Sequence, residues 1–156
     1  MRLPDLAVDL HLSTFSFGSD PFIVLREQIW LSVFDQAIQS RMPGLLFTFA
    51  PEATVRESFI PETVRIIETA GGTVDFVALT CPIDEIRRRL EHPSRHRFGK
   101  LTSVDLFDQL LAADTFGRPA MPQPRISVDT SISTPARAAL EIARALGIMP
   151  AAPATR

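Results

Sequence analysis

Three things are missing from this sequence, and each removes a class of function. Cys81 is the only cysteine, so neither an internal disulfide nor a cysteine-based zinc site can form, and a reducing cytoplasm is the expected compartment. No stretch approaches the roughly 18 consecutive apolar residues of a membrane span. Asp5 and Asp9 interrupt the first apolar stretch, so no signal peptide is expected either. The third gap is G-x-x-x-x-G-K-[ST], the loop whose backbone N–H groups cradle nucleotide phosphates. Lys100, the only lysine, does follow Gly99, but Ser94 stands five residues before that glycine and Leu101-Thr102 follow the lysine. A nucleophile elbow, a Ser/His/Asp set and the Rossmann glycine fingerprint are absent as well. His92 and His96 flank Pro93, which breaks the helix that would align them on an ion, so no metal site is expected.

What is there fits one soluble α/β domain. The 156 residues are 46% apolar and 22% charged, with a net charge of −2 that offers no pull toward nucleic acid or acidic membranes. The distribution is uneven. Residues 1–70 carry nine acids and five bases, residues 71–156 nine acids and eleven bases, and six of those bases fall between Arg87 and Lys100. Such a cluster is either a solvated helix face or an anion site.

Apolar spacing from Phe22 to Ile38 predicts a core-facing helix over residues 21–41, capped by Asp20, with Arg26 and Glu27 on the wet side. Leu45-Leu46-Phe47-Thr48-Phe49-Ala50 reads as an interior parallel strand covered on both faces. Further helices are expected over 62–70, from Pro82 through Arg87-Arg88-Arg89, over 102–114, and from Pro135 with Thr134 as cap and Gly147 as stop. Strands are expected at 74–80 and 126–129, and residues 5–16 lean toward helix. Alternating strands and helices imply a parallel sheet with helices on both faces.

Chemistry concentrates after the second strand. Arg89, Arg95 and Lys100 suit a mobile cationic loop over a phosphoryl group, since guanidinium offers a planar fork and a permanent charge. They equally suit a helix end whose bases complement the dipole, as Arg87 and Arg88 are expected to do. Asp129-Thr130 lies where a strand gives way to a loop, the usual place of ligands in open parallel sheets, although turn capping alone also accounts for an Asp and a Thr there. Asp9 is an acid in an apolar setting (Leu6, Ala7, Val8, Leu10), open to either a functional or an exposed surface role.

Phe17-Gly18-Ser19, Leu46 through Pro51, Ala78 through Pro82, and Pro93-Ser94-Arg95 through Lys100 occur in this order. Over residues 6–147 the chain thereby resembles shikimate kinase-like proteins of the P-loop ATPase superfamily. The resemblance implies a three-layer α-β-α fold with the central first strand missing, one domain over residues 1–150, and a disordered tail at 151–156. It implies ATP and Mg2+ as cofactors and a small-molecule phosphoryl acceptor. Asp9 and Arg95 would be catalytic; Arg89, Lys100, Asp129 and Thr130 would bind the nucleotide. The expected function is that of a truncated or remnant small-molecule kinase whose true start lies ~30 residues upstream, the length of a strand–loop–helix unit. The alternative is a non-catalytic module of the same fold that binds an anion or a partner. Without the central strand, two apolar strands would keep unpaired edges, so a homodimer or aggregate is expected.

Overall fold

The structure, a computed structural model, describes residues 14–93, 95, 101–117 and 119–148. Among these the chain is mixed α/β. Its elements run α1 (Asp20–Gln39), α2 (Phe59–Thr69), β1 (Val77–Thr80), α3 (Ile83–Leu90), α4 (Val104–Ala112), β2 (Ile126–Asp129) and α5 (Pro135–Ala145). Contacts gather the chain into two compact units, Met1–Val74 with Glu91–Met121, and Asp75–Leu90 with Pro122–Arg156. The helix expected at the N-terminus lies outside the described residues up to residue 13, as does the tail at 151–156.

In the first unit α1 begins at Asp20 with Pro21 in its first turn, and Ser19 rather than Asp20 holds the cap position. The Ser19 hydroxyl makes no cap bond; it donates to the Ser16 carbonyl at 2.8 Å. Phe22, Arg26, Trp30 and Phe34 recur every four residues and form the inward stripe. Placing Arg26 and Glu27 on the wet side is therefore wrong: they are only 8% and 3% exposed, while Leu25 and Val33 face solvent. The reason lies in residues 52–56, which bring charge of the opposite sign onto the helix. Arg26 donates to Glu52 Oε1 at 3.0 Å and to the Thr54 carbonyl at 2.6 Å. Arg56 donates to both oxygens of Glu27, at 2.8 and 2.6 Å. The Arg26 guanidinium also lies over the rings of Phe22 and Trp30, 5.3 and 4.8 Å from their centroids.

Residues 45–50 correct a second expectation. Among the described residues they form no ladder. What fixes them is one face of side chains: Phe47 and Phe49 join Trp30, Phe34 and Phe59 in an aromatic cluster with centroids 5.0 to 6.4 Å apart. The other face is open, and Leu46 is 90% exposed. Immediately downstream the backbone is pinned again, by an isolated antiparallel bridge between Glu52 and Phe116.

In the second unit β1 and β2 pair in parallel, with Val77 opposite Ile126 and Thr80 opposite Asp129. The strand expected at 74–80 is thus shorter. Just before it the Arg125 N–H donates to the Phe76 carbonyl at 2.8 Å, one residue short of the Ile126 N–H that this register calls for, so regular pairing starts only at Val77. α5 packs on β2 and begins as expected, with the Thr134 side chain accepting from the Arg137 N–H at 3.3 Å. It stops before Gly147, whose φ of +70° suits a residue without Cβ.

Candidate functional site

The carboxyl ends of β1 and β2 meet in the second unit, and Thr130 ties them together. Its N–H and its hydroxyl both donate to the Thr80 carbonyl, at 2.9 and 3.0 Å. Arg89, in the last turn of α3, reaches the same residue. Nη1 donates to Thr130 Oγ1 at 3.1 Å and Nη2 to the Thr130 carbonyl at 2.6 Å. Its Nε donates to Glu85 Oε1 at 2.7 Å, one helical turn back. Three directed bonds from three nitrogens fix the plane of this guanidinium, with 39% of the side chain still open to solvent.

Asp129 turns to its own loop. Its Oδ1 accepts from the Ser131 N–H at 2.8 Å and from the Ser131 hydroxyl at 2.6 Å. These two bonds, with the charge of Arg89 nearby, hold its carboxyl below the ordinary range. Turn chemistry thus accounts for Asp129, whereas Thr130 is the residue that joins the elements. Glu85 is also held low, at about 2, by hydrogen bonds from Arg88 and then Arg89. Both carboxylates are ionised at neutral pH, so neither is a proton shuttle there. This corner can bind and orient a group; it offers no poised acid or base.

The remaining bases divide. Arg87 pairs with Asp84 at 2.8 Å and Arg88 with Glu85 at 2.7 Å, both three residues apart on exposed helix surface. These are side-chain pairs along the helix, in addition to the dipole role expected of two bases in its last turn. Arg95 belongs to the first unit, and its Nε donates to the Leu101 carbonyl at 2.9 Å. Lys100 and Asp9 lie outside the described residues. Of the six expected site residues, then, Arg89, Asp129 and Thr130 share one corner.

Two members were not picked out from the sequence. Glu85 orients Arg89, and its spacing of four residues on a helix was a usable signal. Thr80 acts through its carbonyl oxygen, which no side-chain pattern reveals. No group of three or more His, Cys, Asp or Glu side chains gathers as a metal site among the described residues.

No protein-family model, curated protein or solved structure matches this chain. Inference about function therefore rests on the corner itself and on the resemblance in its motifs.

Proposed function

We propose that this chain is a nucleotide-binding relative of ATP-dependent small-molecule kinases, built on a three-layer α-β-α plan, that binds without turnover. The observation that carries the reading is the Arg89 guanidinium, held by Thr130 and Glu85 at the carboxyl ends of two parallel strands. Strand ends of this kind are where open parallel sheets collect ligands. A guanidinium whose Nε and both terminal nitrogens are already engaged is better suited to stack its face on an aromatic base than to fork around a phosphate. In the kinase family that the chain resembles, this turn lies near adenine. Arg89 and Thr130 would therefore serve the base, and Asp129 would shape the turn. In that family the positions matched by Asp9, Arg95 and Lys100 serve the phosphoryl group and its acceptor, with Mg2+ on the nucleotide, and for these three residues the resemblance alone supports the reading.

The missing G-x-x-x-x-G-K-[ST] favours binding over catalysis, because phosphoryl transfer depends almost wholly on positioning and electrostatic cradling. Titrating the chain separately with ATP, adenosine and inorganic phosphate, followed by NMR, tests the reading. Adenosine and ATP are expected to shift Arg89, Thr130 and Ser131 alike, with the response lost in Arg89→Ala and no magnesium-ATP turnover. Phosphate acting as ATP does, with adenosine silent, would replace the base site by an anion site. Turnover that disappears in Arg95→Ala would restore catalysis.

A further inference from the structure

Among the described residues strand β1 has a partner along one edge only. The Phe76 and Thr80 carbonyls accept from the N–H groups of Arg125 and Thr130, so residues 76, 78 and 80 turn their backbone groups toward β2. Alternation along a strand turns those of Val77 and Leu79 to the opposite edge. Among the described residues no strand pairs there. At four residues the edge is short, which limits pairing, but it carries none of the other features that keep edges apart: Val77–Thr80 holds no charge and no proline, its register with β2 is unbroken from Val77 to Thr80, and Leu79 is 60% exposed. The nearest acid, Asp75, is paired with Arg125 at 3.1 Å and so adds little repulsion between copies.

We infer that this edge is a self-association surface, filled by β1 of a second copy in antiparallel pairing about a two-fold axis at Ala78. The backbone itself selects the arrangement. An antiparallel strand edge is complementary to its own copy, because each outward residue offers one donor and one acceptor. Centred on Ala78, the pairing sets Val77 against the partner's Leu79 and Leu79 against the partner's Val77. Both become hydrogen-bonded pairs, and the two side chains in each pair lie on one face as cross-strand neighbours. A slip of one residue would set outward groups against inward ones. The contact is far smaller than the roughly 1,200 Å² of a stable interface, so the dimer is weak and follows concentration.

The inference is independent of the nucleotide reading, and its test contains no nucleotide. Across the axis Ala78 faces its own copy in a pair without hydrogen bonds, about 4.5 Å between Cα atoms, within the ~4.4–6.8 Å that a disulfide spans. In a Cys81→Ser background, Ala78→Cys is expected to form an interchain disulfide readily on mild oxidation. Sedimentation of the native chain should show a dimer growing with concentration. Leu79→Lys should weaken association about tenfold or more while leaving the melt of the dilute chain unchanged. A native chain that stays monomeric at every concentration overturns the inference. So does a dimer that survives Leu79→Lys while Ala78→Cys stays uncrosslinked. If Leu79→Lys fails to fold, the cross-link decides alone.

Discussion

Arg26 and Glu85 show how much a single charged residue means once its partners are known. Arg26 sits in a stripe of aromatic residues with its charge met by Glu52 and the Thr54 carbonyl. Removing one member of a buried pair strands the other, at a cost of about 3–5 kcal/mol, whereas replacing both by apolar residues of similar size is often close to neutral. Arg26→Met and Glu52→Leu are each expected to destabilise the chain by that amount, and the double variant by clearly less than their sum. Denaturant unfolding followed by Trp30 fluorescence measures the cycle; strict additivity would mean that the pair is not coupled. Glu85 makes a prediction in pH. Its folded pKa of about 2 lies below its ordinary 4.5. Its contribution to stability is therefore fully present above the ordinary value and is lost as pH falls through about 2. Carboxyl NMR should find Glu85 still ionised at pH values where other glutamates have protonated. Titration at the ordinary position would show that the links to Arg88 and Arg89 do not hold in solution.

At the scale of elements, residues 45–50 carry the sharpest difference between pattern and structure. A continuous apolar run is what a strand buried on both faces looks like. Here only Phe47 and Phe49 are used, and Leu46 stands in solvent. Phe47→Ala is expected to cost about 3–5 kcal/mol, as truncations of packed aromatics do. Leu46→Ser should stay within about 0.5 kcal/mol, as exposed substitutions do. Equal costs in thermal melts would mean that both faces are covered and that the segment is a buried strand after all. The helices were legible because caps and periodicity are local: Thr134, Pro135 and Gly147 bound α5 where the sequence set them. The ends of the strands were less legible, because a ladder ends where regular pairing with its partner ends, and β1 falls out of step with β2 already at Phe76.

At the scale of the whole molecule, the sequence by itself determined the mixed α/β class, the helices with the Thr134 cap of α5, and the parallel pairing of the segments at 77–80 and 126–129. It also brought Arg89 and Thr130 into view as candidates for a site. Each of these follows from spacing along the chain or from residue types with one dominant role. Tertiary structure alone decided that Arg26 and Glu27 lie inside, because the partners that make burial tolerable are 26 and 29 residues away. It also gave Arg89 to Thr130, 41 residues further along, because a hydrogen bond depends on which carbonyls and hydroxyls the folded backbone brings within reach, and the linear order of residues does not encode that distance.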